Sequence, residues 1–171
     1  IAADKIGLKT ETIDPNDIGA SIAAACICHD IGNPPLGHSG EKAISEFFLS
    51  EGRKFLDGKI KHDDKFDFEN FEGNAIGFNI LTHSNYKKTD VTGGFGLTYT
   101  TLAAFTKYPN RLKDKKGFEN IAYAKKPGIL KCDLNTFRKI ATELGLCSKD
   151  KECWCRHPLA YLTEAADDIC Y

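Results

Sequence analysis

Residues 28–41 read CHDIGNPPLGHSGE, and the Gly and Pro residues at the centre of this stretch separate two predicted helices. The helix before the turn has one face that runs into the stretch: Ile18, Ile22, Ala25 and His29. We expect this helix to begin near Asp14-Pro15, because Asp is a favoured cap and Pro is favoured in the first turn. The helix after the turn is predicted from Ser39 to Ser50, with Gly52 as its stop.

Helical periodicity also dominates the rest of the chain, which predicts an all-α fold. Residues 71–81 form a predicted helix despite Gly73 and Gly77. A glycine inside a helix costs about 1 kcal/mol relative to Ala, and close packing against another backbone would explain why two are tolerated. Three more helices are predicted at residues 98–107, 134–144 and 158–171.

Two segments lack a helical pattern. Residues 53–68 are charged and contain alternating Phe, which we interpret as a loop or at most a short hairpin near 55–68. Residues 110–131 are rich in Lys and irregular, and we expect them to form a mobile surface segment.

Composition limits the possible classes of protein. The chain has 171 residues, a size that fits one domain, and its net charge of -1 gives no general attraction to nucleic acids or membranes. No apolar run is long enough to span a bilayer, and the seven irregularly spaced Cys residues favour the reducing cytoplasm. Met is absent even from position 1, and the last predicted helix reaches the final residue, so we expect a segment of a longer protein.

The adjacent His29 and Asp30 are candidate metal ligands. Neighbouring side chains on a helix diverge by about 100°, so two of them can share an ion only near a helix end, which Gly32 and Pro34 provide here. His29 continues the buried face of its helix, and a buried carboxylate beside it needs a partner. A divalent cation would satisfy both side chains.

The last predicted helix offers a further carboxylate. Asp167 shares one face of this helix with Ala160, Thr163 and Tyr171. Three of these four residues are small or polar. A carboxylate on such a face can approach a neighbouring helix closely and complete a metal site. The alternative is that Asp167 and Asp168 are two ordinary solvated surface charges.

His38 and Glu41 are neighbours at the start of the second helix, three residues apart. A Glu that accepts a hydrogen bond from a His ring orients that ring for acid or base work, although an ordinary polar turn would look the same. Lys107 ends a predicted helix and could place a cation on a polyphosphate, or it could be a solvated surface charge.

These motifs resemble those of the HD-domain deoxynucleoside triphosphate triphosphohydrolases, the bacterial dGTPase group. The signature is His29-Asp30-Ile31-Gly32-x-Pro34-Pro35-x-Gly37-His38-x-Gly40-Glu41. Further blocks follow in the family's order: Phe71-Glu72-Gly73-Asn74-Ala75, Leu97-Thr98-Tyr99, Lys107-Tyr108-Pro109, and Cys155-Arg156-His157-Pro158-Leu159 through to Tyr171. The resemblance implies an HD-domain helical bundle that hydrolyses a dNTP, with dGTP expected, to deoxynucleoside and tripolyphosphate.

The resemblance also implies roles for individual residues. A divalent cation, Mn²⁺ or Mg²⁺, would be held by His29, Asp30 and Asp167; Asp167 matches the family ligand because the family's phosphate-contacting Tyr follows it by four residues, as Tyr171 does. His38 and Glu41 match the catalytic His and its partner. Lys107 matches a Lys that contacts the polyphosphate, and Asn33 stands where many relatives have a phosphate-contacting His.

The sequence departs from the family at its first metal ligand, because no His precedes His29. We therefore expect residues 1–171 to be a partial HD phosphohydrolase domain that lacks this His and the C-terminal region, and to be inactive alone. Two alternatives stay open: another HD-domain nucleotide phosphohydrolase or phosphodiesterase, and a non-catalytic nucleotide-sensing subunit. Family members assemble as homo-oligomers, often hexamers, and some bind single-stranded DNA, but no residue here indicates either partner.

Overall fold

The computed structural model describes residues 14–83, 94–150 and 152–170. These residues form eight α-helices, two 3₁₀ turns and one two-stranded antiparallel hairpin, which confirms the predicted all-α class. The α-helices in chain order are α1 (Pro15–Cys28), α2 (His38–Leu49), α3 (Arg53–Leu56), α4 (His62–Glu69), α5 (Gly73–Thr82), α6 (Tyr99–Phe105), α7 (Leu134–Glu143) and α8 (Pro158–Cys170). The 3₁₀ turns are Ala122–Ala124 and Lys131–Asp133, and the strands are β1 (Ser148–Asp150) and β2 (Cys153–Trp154). None of these helices has the length and apolar character needed to cross a membrane.

Three helices from distant parts of the chain, α1, α6 and α8, pack against one another. Their shared core continues through α5 and α7, where Phe137 makes edge-to-face contacts with Phe78 and Trp154 at centroid distances of 5.7 and 5.2 Å. Burial of such rings supplies much of the stabilisation of a domain of this size. The packing joins the C-terminal helix to the N-terminal one.

Helix α1 begins as the sequence predicts. The Asp14 side chain accepts a hydrogen bond of 2.9 Å from the backbone N–H of Asn16, and Pro15 is the first helical residue. The helix ends at Cys28, so His29 and Asp30 enter the following turn. The change in direction lets two adjacent side chains face the same space.

The turn after α1 packs directly on the backbone of α5. A Cβ atom on Gly32 would lie 2.1 Å from the carbonyl oxygen of Gly73 and 2.2 Å from the nitrogen of Gly77. The glycines of α5 are closely packed as well: a Cβ atom on Gly73 would lie 2.2 Å from Asn33 Oδ1, and one on Gly77 would lie 2.7 Å from the ring of Phe105. Close packing thus explains both glycines, as expected, against the turn at Gly73 and mainly against α6 at Gly77.

The expectation of a loop or short hairpin near 55–68 is wrong, because α3 and α4 occupy this segment. Asp63 and Asp67 lie one helical turn apart on α4, and both pair with the buried Arg111. On another face, Phe68 contacts the ring of Phe48 at 5.1 Å. Tertiary ion pairs and ring contacts with helical spacing thus outweigh the alternating Phe pattern. The hairpin lies instead at β1 and β2.

The expectation that all of residues 110–131 form a surface segment is wrong, because several of these residues are buried. Leu112, Ala124 and Ile129 are buried, and the Asn110 side chain donates to the carbonyl oxygens of Tyr123 and Lys126 at 2.6 and 3.0 Å. Because Asn110 is itself fully buried, it ties both ends of the irregular stretch to one point. Exposure is confined mainly to residues 113–120 and a few positions after them.

We predict opposite effects on stability for two Gly→Ala substitutions. Gly32→Ala should lower the free energy of unfolding by at least about 2 kcal/mol, because the new Cβ meets immovable backbone atoms. Gly19→Ala should raise it by about 1 kcal/mol, because residue 19 lies inside α1 with open space around it. Urea unfolding followed by circular dichroism measures both, and equal effects would contradict the close approach of the two backbones.

Candidate functional site

A cavity of about 480 Å³ lies where the end of α1, the turn before α2, α6 and α8 meet. Predicted site residues line it from every side: His29, Asp30, Asn33, His38, Lys107 and Asp167. Of the remaining predicted residues, Glu41 lies behind His38, and Tyr171 falls outside the described residues. The structure therefore brings together residues that are up to 138 positions apart, from His29 to Asp167.

The imidazole of His29 is oriented by the backbone of its own helix. Its Nδ1 lies 2.7 Å from the carbonyl oxygen of Cys26, so Nδ1 carries the hydrogen that this acceptor requires. The other nitrogen, Nε2, lies 3.2 Å from Asp30 Oδ2 and 3.3 Å from Asp167 Oδ1. Nε2 therefore faces two carboxylate oxygens, an arrangement that a cation between them would stabilise.

The three side chains fit a divalent cation by their chemistry. An imidazole nitrogen and carboxylate oxygens bind such ions at about 2.0–2.3 Å, so neighbouring ligand atoms stand roughly 3 Å apart, close to the distances from Nε2. The two carboxylates lie on either side of the imidazole, and the ligand atoms of the three residues are not all within 4.8 Å of one another. Among the described residues, only the group of His83, Cys132 and Asp133 meets that distance. Binding an ion would draw Asp30 and Asp167 inward.

Asn33 orients one of these carboxylates. Its Nδ2 donates a hydrogen bond of 2.6 Å to Asp30 Oδ1, leaving Oδ2 directed at His29. An outer hydrogen bond of this kind fixes a potential ligand in place. Asn33 therefore contacts Asp30 in this structure, whereas the sequence analysis predicted a contact with substrate.

The two adjacent acids of α8 differ in their surroundings. Asp167 lines the cavity and reaches His29, while Asp168 is exposed and does not line the cavity. Thr163, one turn before Asp167, is buried. The small and polar face of α8 thus lies against the cavity, and this face carries Asp167.

His38 and Glu41 form the predicted pair at the start of α2. His38 Nδ1 lies 2.9 Å from Glu41 Oε2, and the other oxygen, Oε1, accepts a hydrogen bond of 2.7 Å from the N–H of Gly73. The His38 side chain is 85% exposed, whereas that of Glu41 is 7% exposed, so a fixed carboxylate holds a ring that solvent or a ligand can reach. Burial would raise the pKa of Glu41, but Gly73, His38 and Lys126 together hold it below its ordinary value.

Lys126 and Glu72 also belong to this site, and the sequence analysis did not identify them as functional. Lys126 Nζ lies 3.0 Å from Glu41 Oε2 and 2.8 Å from Glu72 Oε2, and the Glu72 side chain is 3% exposed. Burial would lower the pKa of Lys126, but the two carboxylates outweigh it and raise the pKa. The ammonium group therefore bridges two buried acids behind His38.

No local signal marks Lys126 in a segment that contains many Lys residues. Its position depends on Asn110, whose Nδ2 donates to the carbonyl oxygen of Lys126, sixteen residues further along the chain. For Glu72 the sequence did contain a signal, namely the block at residues 71–75 that includes Glu72 and Asn74. Asn74 lines the cavity, and its Nδ2 donates a hydrogen bond of 2.7 Å to Glu72 Oε1.

Lys107 lines the cavity and pairs with a carboxylate of α8. Its Nζ is 3.0 Å from Glu164 Oε1, and Arg156 binds the other oxygen of Glu164 and donates from Nε to the Lys107 carbonyl at 2.9 Å. Burial would lower the pKa of Lys107, but Glu164 raises it above its ordinary value. Lys107 is thus a charged ammonium group that is half-buried at the cavity wall and already has a carboxylate partner.

Comparison with known proteins shows strong similarity to one group. The chain is 46% identical over 163 residues to a "Deoxyguanosinetriphosphate triphosphohydrolase-like protein" of Pseudomonas aeruginosa, covering 94% of this chain and 35% of the relative. It is 40% identical over 174 residues to a protein of the same name from Synechocystis, covering 95% and 38%. A "Deoxyguanosinetriphosphate triphosphohydrolase" of Yersinia pestis is 32% identical over 181 residues, covering 88% and 32%.

No family model matches the chain. The chain spans about a third of the length of the curated relatives it matches, and nearly all of it takes part in each alignment. The chain is therefore homologous to about a third of the length of proteins named deoxyguanosinetriphosphate triphosphohydrolase-like.

Proposed function

We propose that this chain carries the metal-binding and proton-transfer residues of a deoxynucleoside triphosphate triphosphohydrolase, with dGTP as the expected substrate. The reaction is dGTP plus water giving deoxyguanosine plus tripolyphosphate. The observation that carries the proposal is the position of His29 Nε2 between oxygens of Asp30 and Asp167, at 3.2 and 3.3 Å. Kinship with the triphosphohydrolase-like proteins supports the substrate class.

His29, Asp30 and Asp167 would hold the cation, which when bound supplies positive charge that polarises a phosphoryl oxygen. A nitrogen ligand beside two carboxylates favours Mn²⁺ over Mg²⁺, because Mg²⁺ prefers oxygen ligands and retains several waters. The Cys26 carbonyl and Asn33 support two of these ligands from behind. Such supporting contacts are usually important for metal affinity.

His38 is the residue that would transfer a proton at the scissile phosphate. Glu41 accepts the hydrogen on Nδ1, which leaves Nε2 of the exposed ring available to the cavity. A ring held in this way can protonate the leaving 5′ oxygen or orient the attacking water. Lys126 keeps Glu41 ionised and offsets the charge of Glu72 beside it.

Lys107 is the proposed contact for the polyphosphate. Its charge is balanced by Glu164 in the free protein, so a phosphate oxygen would have to take over part of this interaction. Arg156 can hold Glu164 when Lys107 turns away, because it binds the same carboxylate. Tyr171, four residues after Asp167, is proposed as a second phosphate contact.

We propose that residues 1–171 are a partial HD phosphohydrolase domain and that a whole protein is needed for turnover. The relatives are about three times as long as the matched region, so they contain residues that this chain does not supply. One of them would be the first metal-ligating His of the family, which no His upstream of His29 can provide here. Experiments on catalysis therefore need the full-length protein, whereas binding and stability can be measured on this chain.

The products of the full-length enzyme test the function directly. With Mn²⁺ and dGTP we expect equal amounts of deoxyguanosine and tripolyphosphate, measured by ion-exchange chromatography. His38→Ala should lower kcat by about 10²–10⁴, a typical effect of losing a proton-transfer group, while His62→Ala on the exposed side of α4 should leave it unchanged. Release of dGMP or of single phosphates would reject the proposal in favour of another HD-domain phosphohydrolase.

The two adjacent acids of α8 provide a matched test of metal binding. Asp167→Asn should weaken Mn²⁺ binding to this chain by at least about tenfold, because a neutral amide replaces a ligand that faces His29. Asp168→Asn should change the affinity by less than about twofold, since Asp168 is exposed outside the cavity. Electron paramagnetic resonance of free Mn²⁺ measures both, and equal affinities would remove Asp167 from the proposed metal site.

Lys126→Met should destabilise the chain in a way that depends on pH. Because the folded-state pKa of Glu41 lies below its unfolded value, Glu41 stabilises the fold above about pH 5, and this contribution is lost as the pH falls through the folded pKa. Without Lys126 the pKa of Glu41 in the folded state rises, and the contribution of Glu41 to stability shrinks. The substitution should therefore lower the free energy of unfolding by about 1–3 kcal/mol at pH 7 and have almost no effect near pH 3.

The control for this experiment is Lys125→Met, because the neighbouring Lys125 is exposed and forms neither of these ion pairs. Urea unfolding of the wild type and both variants between pH 3 and pH 7 gives the comparison. A loss that is the same at both pH values would show that Lys126 contributes packing rather than charge.

A further inference from the structure

A second group of potential ligands lies apart from the cavity. His83 caps the C-terminal end of α5, and Cys132 and Asp133 belong to the 3₁₀ turn that leads into α7. One donor atom from each of these residues, a nitrogen, a sulfur and an oxygen, lies within 4.8 Å of the other two. We propose that this group is a binding site for a borderline or soft divalent cation of the zinc type.

The spacing of two of the donors already suits such an ion. His83 Nδ1 lies 3.2 Å from Asp133 Oδ1. Two ligands at about 2.0–2.1 Å from a tetrahedral centre stand roughly 3.3 Å apart, so neither side chain needs to move far. The sulfur of the exposed Cys132 already lies within 4.8 Å of these two donor atoms.

Asn79 marks the point on which the donors converge. Its Nδ2 donates to Asp133 Oδ2 at 3.0 Å and lies 3.1 Å from His83 Nδ1 and 3.5 Å from the sulfur of Cys132. A single N–H₂ group with partial positive charge thus serves all three residues. A cation replaces it when the amide turns about its terminal torsion, which is broad for Asn, and the amide oxygen of Asn79 then becomes available as a further ligand.

The charge of Asp133 is a second, independent argument for a cation. The side chain is fully buried, and among the described residues its ion pairs are limited to His83, a group without permanent charge. By contrast, the buried Glu41 and Glu72 both pair with the ammonium group of Lys126. Buried carboxylates are normally paired or bound to a metal. A divalent ion would supply the permanent positive charge that Asp133 lacks.

The donor types separate this site from the cavity. Thiolate and imidazole ligands select zinc-like ions and bind Mg²⁺ and Mn²⁺ weakly, whereas the carboxylates around His29 suit the harder ions. An ion at His83, Cys132 and Asp133 would join the end of α5 to the start of α7. We expect it to stabilise the fold rather than to take part in hydrolysis.

Cobalt(II) titration of this chain tests the site, because thiolate ligation to Co²⁺ gives a charge-transfer absorption band in the near ultraviolet. We expect the wild type to show this band at one equivalent of Co²⁺, and Cys132→Ser to lose it. His83→Ala should weaken Co²⁺ binding at this site at least about tenfold. Cys147→Ser, which removes another exposed thiol, and Asp167→Asn, which alters the cavity, should both retain the band.

Absence of the band from the wild type, or its persistence in Cys132→Ser, would overturn the proposal. Thermal unfolding with Zn²⁺ gives a second readout in the Asp167→Asn background, where binding at the cavity is weakened: the midpoint should rise for Asp167→Asn and should rise by less when Cys132→Ser is added. A rise of equal size with and without Cys132→Ser would contradict the site. Because Cys132 lies outside the cavity, failure here is distinguishable from failure of the proposed hydrolase function.

Discussion

The contact between the turn after α1 and the backbone of α5 is the constraint on which the site depends. Gly73 contributes to it with both of its backbone polar groups: its carbonyl oxygen lies against Gly32, and its N–H binds Glu41. One residue thus sets the position of the His29-Asp30 turn and of the His38–Glu41 pair. Because the backbone of Gly73 takes part in both contacts, a shift of this residue would move both halves of the site.

The charged groups at and behind the cavity wall differ in how their charges are paired. Lys126 pairs with both Glu41 and Glu72, which leaves one excess negative charge, whereas Lys107 and Arg156 both pair with Glu164, which leaves one excess positive charge. Among the described residues, the ion-pair partner of Asp30 and Asp167 is His29, which carries no permanent charge. The negative charge that remains around His29 is the reason to expect a divalent ion there, and an ion would in turn attract a polyphosphate.

The sequence predicts the parts of this arrangement that rest on local geometry. The cap at Asp14, a helix end near the His29-Asp30 pair and the neighbouring positions of His38 and Glu41 follow from spacing and turn chemistry, although the helix ends at Cys28 rather than at Gly32. Helical periodicity also assigns Asp167 to a face of small and polar residues, and this face lines the cavity. The roles of these residues came from the family resemblance, since no spacing specifies a substrate.

The sequence does not predict the parts that rest on contacts between distant segments. Lys126 reaches Glu41 across 85 positions because buried Asn110 holds an irregular segment in place, and nothing near Lys126 shows this. The alternating Phe residues near 55–68 favoured a loop or short hairpin. The segment is helical because Arg111 and Phe48, which lie outside it, contact Asp67 and Phe68 on α4. The β1–β2 hairpin was missed for a related reason, since its two strands are only three and two residues long.

Side chains from the two ends of the sequence are proposed to hold one metal ion. Anomalous scattering from crystals grown with Mn²⁺ is a direct test, because it locates the ion without any assumption about activity. We expect a peak within about 2.5 Å of His29 Nε2 and of carboxylate oxygens of Asp30 and Asp167. A fully occupied manganese peak elsewhere, with none at His29, would contradict it.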